Sequence, residues 1–225
     1  MTDSRQPSPP IPSNADVTRL ALIRAALKLF GSKGFEATST REIATAARAN
    51  IGSIAYHFGG KEGLREACAH HVVETIRTVA GPAMRIAPED LPPDEAETLL
   101  TTAIERMVSL VVASPEAGEF VPFMLREVMQ PSSALDIVYE GVFEPVHTRF
   151  CQLWERATGE PAESERTRVT IFSLIGQVLY FRIGRVAVLR RMGWDAIDEG
   201  RARLIAEIAT GNARAILKAR RDKGR

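Results

Sequence analysis

The fold of this chain turns on "STREIATAARANIGSIAYHFGGKEGL", Ser39 to Leu64. Thr40 precedes "REIATAA" with Ile43 three residues on, which reads as the N-cap of a helix of about two turns. A turn at Arg48 and Ala49 leads to Asn50, a second N-cap, and then to "IGSIAYHF". At about 100° per residue, Ile51, Ile54, Ala55 and Phe58 share one face, and Gly52, Ser53, Tyr56 and His57 share the other. Two short helices joined by a tight turn form a helix-turn-helix, whose second helix fits the DNA major groove. Gly52 and Ser53 let the backbone approach base edges, and Tyr56 and His57 reach flanking phosphates. Lys61, with the free backbone N–H groups of the helix it opens, suits another phosphate.

Working outward, Leu20, Ile23, Leu27 and Phe30 recur at helical spacing from Asp16 onward, and the run closes at "GSKGF", with Gly34 suited to a left-handed cap. Before it, "MTDSRQPSPPIPSNAD" has the composition of a disordered arm over residues 1–15, either a solvated tail or, through Arg5, a reader of a DNA groove. After it, a helix is expected from Glu62 to Ala80, broken by "GPAMRIAPEDLPPDE". Further helices are expected from Asp94 or Glu95 to Ala113 and over "EAGEFVPFMLREVMQP", with Pro122 in its first turns or kinking it. Ser133–Thr158 reads as one or two helices interrupted by Pro145 and ended by Gly159. Glu163–Met192 and Asp198–Lys218 read as the last two, the latter despite the costly Gly211. No alternating strand pattern occurs. The chain is expected to be all-α, with about nine helices, divided into the arm, a helix-turn-helix domain over 16–62 and a larger helical domain over 63–220.

Composition narrows the function. The 225 residues are 45% hydrophobic and 25% charged, and 29 basic against 28 acidic residues give a net charge of +1. Any basic footprint must therefore be local. Cys68 and Cys151 lie in apolar helical patterns without metal-ligand spacing and read as buried thiols. His70 and His71 are adjacent, point to different faces and do not make a metal pair. No apolar run approaches the approximately 18 residues of a membrane span, so a cytoplasmic protein with no membrane partner is expected. There is no Gly-rich phosphate loop, GxSxG or HExxH, so neither catalysis nor a cofactor is expected.

The segment "TSTREIATAARANIGSIAYHFGGKEGL", preceded by "ALIRAALKLFGSKGFEAT", resembles the DNA-binding domain of the TetR family of transcriptional regulators over about Leu20–Val73. The resemblance implies a homodimer whose first three helices bind a palindromic DNA operator, whose variable carboxy-terminal domain binds a small-molecule effector, and whose last two long helices form a four-helix interface. It implies DNA contacts at Thr40 and Arg41, then Asn50, Gly52, Ser53, Tyr56 and His57, and finally Lys61. Members commonly place Gly and Val in the turn, where this chain has Arg48 and Ala49. A non-glycine residue there costs about 1–2 kcal/mol if the turn is left-handed. "FMLREVMQPSSAL" followed by "GQVLYFRIGRVAVLRRMGW" is similar to the CecR-like subgroup of that family.

In the carboxy-terminal half, Phe143, His147, Phe150, Cys151 and Trp154 form a helical stripe. The stripe suits core packing or a pocket lined by Phe120, Phe123, Met124, Phe143, His147, Tyr180 and Phe181, with Arg126 or Gln177 as polar anchor. Arg126 and Glu127 equally suit an internal ion pair. Val169, Phe172, Ile175, Gly176, Leu179, Ile183, Leu204, Ile208 and Ile216 supply more apolar helical surface than one subunit needs. Two functions fit the pattern: a ligand-responsive repressor, or a helix-turn-helix scaffold acting through protein partners with no small-molecule effector.

Overall fold

The computed structural model describes residues 13–84, 87 and 90–222, with only the backbone path for 79–84. Arg5 and most of the amino-terminal arm lie outside the described residues, as do parts of the proline-rich segment after position 84. All regular structure among the described residues is helical.

The amino-terminal helices follow from their caps. α1 (Asn14–Lys33) opens on Ser13, whose hydroxyl accepts from Asp16 N–H while the Asp16 carboxylate accepts from Ser13 N–H. Its C-cap Gly34 has the positive φ, 88°, that favours glycine, but with an extended ψ of 165° in place of that of a left-handed helical cap. The Thr38 hydroxyl, buried, donates to Gly34 O at 2.7 Å and pins the short connection to α2 (Thr40–Ala46). The N-cap of α2 is Ser39, not Thr40. Glu42 stands three residues after Ser39 and closes a reciprocal capping box, whereas Ile43 cannot do so for Thr40.

α2 ends in a Schellman motif. Arg48 N–H donates to Thr45 O at 3.1 Å and Ala49 N–H to Ala44 O at 2.9 Å, with Arg48 itself at φ 52°. The left-handed turn is therefore present and occupied by a residue with a Cβ. Asn50 does not occupy the cap position of α3 (Gly52–Phe58), where Ile51 sits; its Oδ1 instead accepts from Gly52 N–H at 2.8 Å, one residue further out. Gly59, left-handed at φ 71°, ends α3. Gly63 lies where α4 (Lys61–Met84) crosses the end of α3: a Cβ there would sit 2.0 Å from Phe58 O. α4 carries Gly81 and Pro82 within its last turn, beyond the expected end at Ala80, and forgoes there the hydrogen bond that a proline cannot donate.

α5 (Pro93–Val108) continues through a π turn (Ser109–Ala113), and the chain then bends by 97° into α6 (Ala117–Met129), which contains Pro122. α7 (Ser133–Val138) passes through a second π turn (Tyr139–Phe143) into α8 (Glu144–Thr158). The interruption thus precedes Pro145, which sits harmlessly in the first turn of α8, and Gly159 caps that helix left-handed at φ 81°. The expected long helix from Glu163 is two, α9 (Glu165–Ile183) and α10 (Arg185–Met192), bent by 74° at Gly184. α11 (Glu199–Arg221) is capped by Asp198.

Two cores result. A rear core joins α5, α8, α9 and α11 around Trp154, Phe150, Leu100, Ile104 and Ile171. A front core joins α1–α4 to α6 and α7 through Phe30, Leu22, Ile54, Leu64, Phe120 and Phe123. The most extensive helix–helix packing in the molecule is between α1 and α6. Gly31 permits it, because a Cβ there would meet Phe123 N and Pro122 Cβ at 3.0 Å each.

Candidate nucleic-acid interface and ligand site

Only Ile54, with half-buried Phe58 beside it, anchors α3 to the front core. Ile51 and Ala55, expected on the packed face, are exposed and share the outward surface with Gly52 and with Tyr56, which is 84% exposed. A seven-residue helix needs about one packed residue per turn, so the inward stripe is narrower than its apolar sequence suggests. The outward face therefore offers a methyl and a branched aliphatic chain suited to thymine methyl groups, as well as backbone and a phenol. Ser53 and His57 are half-buried at its edge, with the His57 ring edge-on to Tyr56 at 4.9 Å. Thr40, half-buried, and Arg41, exposed, stand at the start of α2. Asn50 is exposed, its carbonyl spent on Gly52 N–H. Arg48, exposed in the turn, adds a cation that was not among the expected contacts.

Lys61 opens α4 with its ammonium 4.1 Å from the centroid of the Phe35 ring, and the Arg65 guanidinium lies 4.4 Å from the same centroid. Arg65 Nε and Nη2 donate to the two oxygens of Glu127 on α6, each at 2.9 Å, and Ser132 Oγ donates to Glu127 Oε2 at 2.6 Å. Glu127 is 3% exposed and Arg65 12%. The expected Arg126–Glu127 pair does not form, because consecutive helical residues diverge by about 100°. Arg126 turns instead to α1, where Nε donates to Gly31 O and Nη2 to Ser32 O, each at 2.8 Å. α6 is thus tied by charged hydrogen bonds to α1 and to α4, the two helices that hold α3 in place.

The nine residues expected around one ligand lie in several places. Phe120 and Phe123 are buried in the front core, with Met124 and Phe143 packed partly against it. Phe181 packs against the rear core, and Tyr180 is exposed. His147 Nε2 bonds Arg168 O at 3.1 Å, while its ring stacks on Phe172 at 4.0 Å. Gln177 Oε1 accepts from Asn212 Nδ2 at 2.9 Å, and Arg126 is committed to α1. A cleft of about 330 Å³ between α1, α4 and the α5–α6 turn is lined by Leu27, Val72, Phe120, Arg24, His71 and Glu119, among others. Phe120 is the one residue of the nine that reaches it. Burial holds the His71 imidazole below its ordinary pKa, and Arg24 and Arg19 push in the same direction. A shallower cavity of about 440 Å³ lies along α8 and the second π turn, beside Glu140, Glu144 and Gln152.

The rear helices expose an apolar face. On α9, Val169, Phe172, Tyr180 and Ile183 point outward at spacings of three, eight and three; on α11, Leu204 and Ile208 do the same. The Asn212–Gln177 hydrogen bond sets the two helices side by side. Ile175 and Ile216 turn partly into the rear core, Leu179 turns toward the front core, and Gly184 lies at the bend after α9. Both cysteines are buried and free; burial raises the Cys151 thiol to about 11 and pushes Cys68 up further. No single helix among the described residues is long and apolar enough to cross a membrane.

Residues 22–68 match the bacterial regulatory proteins of the tetR family, and residues 96–220 match the C-terminal domain of the HTH-type transcriptional dual regulator CecR. The chain is 34% identical to that regulator from Shigella flexneri over 216 residues, covering 94% of this chain and 96% of the relative. It is 26% identical to the HTH-type transcriptional regulatory protein RaaS of Mycobacterium tuberculosis over 164 residues, 72% of this chain and 70% of the relative. Among solved structures, AibR in complex with isovaleryl coenzyme A and operator DNA superposes with a TM-score of 0.64 at 19% identity, over 86% of this chain and 96% of that one. At that identity the likeness concerns the fold alone. A front helix-turn-helix matched to one family description and a helical body matched to another, in a relative aligned almost end to end, leave one conclusion: the chain belongs to the TetR family of DNA-binding transcriptional regulators, with a CecR-type carboxy-terminal domain, and is not an enzyme.

Proposed function

We propose that this chain acts in the cytoplasm as a homodimeric repressor that leaves a palindromic operator when a small, largely apolar or aromatic ligand binds. The observation carrying this reading is the joint packing of α6 with α1 and α4 in the front core, since anything that displaces α6 also displaces the helices beneath α3. Thr40, Arg41, Asn50, Gly52, Ser53, Tyr56, His57 and Lys61 supply the DNA contacts, with Ser53 among those that read sequence and Lys61 holding phosphate. The ligand inserts where Phe120, Phe123, Met124 and Phe143 share the front core, entering through the cleft that Phe120 lines. The exposed faces of α9 and α11 pair with those of a second copy, placing two copies of α3 on two half-sites. The AibR complex holds both operator DNA and isovaleryl coenzyme A, which makes short-chain acyl-coenzyme A thioesters, larger and more highly charged than the ligand proposed, the contrasting probe to free aromatic acids.

Reciprocity provides the test. If ligand weakens operator binding through a coupling of about 1–3 kcal/mol, operator must weaken ligand binding by the same factor. Calorimetric titration of isovaleryl coenzyme A and of free aromatic acids, with and without DNA from upstream of the chain's own gene, measures both arms. Equal affinities in the two titrations would show that the ligand is not the inducer. Failure of the chain to shift any DNA at low salt would favour a scaffold acting through protein partners.

A further inference from the structure

The start of α4 carries an electrostatic anomaly. A lysine in the first turn of a helix opposes the macrodipole, and Lys61 and Arg65, four residues apart on one helical face, repel each other. Among the described residues no carboxylate lies within 4.0 Å of the Lys61 ammonium; Glu127 pairs with Arg65 alone. What the two cations share is the ring of Phe35, with Lys61 4.1 Å and Arg65 4.4 Å from its centroid. The ring is itself fixed, tilted against Phe30 at 5.3 Å. Arg65 is fixed by its bidentate bond to buried Glu127. Lys61 is thus the only unanchored member of the stack, at the corner where α3 ends.

We propose that Phe35 is a positioning residue for DNA: its ring, backed by the Arg65–Glu127 pair, holds the Lys61 ammonium beside the free N–H groups of α4, ready for a phosphate. This rests on the reading of Lys61 as a phosphate contact. A lysine otherwise samples many rotamers, and one laid across a ring face reaches the phosphate with fewer left to lose. Phe35 touches no DNA in this account. The ring face also makes no conventional hydrogen bond to the ammonium, whereas a carboxylate partner would occupy one or two of its three donors.

The test is a double-mutant cycle on the full-length protein, using a duplex selected from a random-sequence pool for tight binding to the wild type. Lys61→Ala is expected to lower the salt slope by about 1 per subunit. Phe35→Leu is expected to weaken binding roughly 5- to 30-fold for a dimer on two half-sites and to move the slope toward that of Lys61→Ala. Phe35→Tyr should restore both, and Phe35→Leu should cost nothing further in the Lys61→Ala background. If Phe35→Leu melts below the assay temperature, Phe35→Met replaces it. Equal losses from Phe35→Leu in the two backgrounds would overturn the proposal and leave the phosphate contact standing. Tighter binding by Phe35→Leu would overturn it too, since the ring would then sequester the ammonium. Unchanged affinity and slope in Lys61→Ala would overturn both the proposal and the reading beneath it.

Discussion

The outward faces of α3 and of α9 are both left unpacked by their own subunit, and they differ in kind. α3 presents Gly52, Ala55 and Tyr56, with Arg41, Arg48 and Lys61 around it: small side chains, backbone and cations. α9 presents Val169, Phe172, which is 63% exposed, and Ile183, with Leu204 and Ile208 of α11 alongside. The first surface suits a hydrated, charged partner approached closely by backbone. The second suits another dry surface and gains from permanent burial.

The strongest way to break that contrast is Phe172→Glu. An aromatic anchor contributes about 2 kcal/mol or more, and the symmetric interface proposed above would hold two copies, so dimerisation should weaken roughly 1000-fold and operator binding should be lost. Sedimentation velocity at micromolar concentration reads the first effect. A dimer that persists would place the interface elsewhere.

Next in size is Glu127→Ala, which strands the Arg65 guanidinium between α4 and α6, behind the α3 region, and should cost about 3–5 kcal/mol. Urea unfolding measures it, with Glu127→Gln expected to lose less. Arg48→Gly sharpens the front alone. Relief of a left-handed Cβ, about 1–2 kcal/mol, is offset by the extra chain entropy of glycine, about 0.5–1 kcal/mol. The net gain should lie between about 0 and 1.5 kcal/mol, a rise of at most about 3–6 °C in Tm.

The smallest effect is confined to acid. The Lys33 ammonium, 2.6 Å away, does most to hold the Glu42 carboxyl at about 2, below its ordinary 4.5, and the backbone and hydroxyl of Ser39 add to it. Because the folded pKa is depressed, this contribution is complete above about pH 4.5 and disappears as the pH falls toward 2. Glu42→Gln should lower Tm slightly above about pH 4.5, match the unsubstituted protein near pH 2, and so flatten the decline across that window.

The helix-turn-helix was legible because its signals are local: caps, a tight turn and two short periodic runs. Its errors were local too, as with Thr40 for Ser39, where the answering carboxylate of Glu42 was in plain view. Ile51 and Ala55 misled because periodicity yields an apolar stripe without saying how much of it a short helix must bury. Further back, Gly81 and Pro82 were absorbed by α4, while Gly184 bent an otherwise continuous pattern. The partners of Arg126 and Glu127 lie 95 and 62 residues away, beyond the reach of spacing. The nine ligand candidates scattered for the same reason: a stripe names a face and leaves open which helix covers it.

The Arg126 fork across Gly31 O and Ser32 O bears on modularity. The last carbonyls of a helix have no partners of their own, and those of α1 find one in a segment about a hundred residues downstream. The operator reader is therefore not a detachable cassette. A chimera that grafts residues 13–78 onto a foreign body inherits a frayed α1 unless the new body supplies a guanidinium at the same corner and a surface that can approach Gly31.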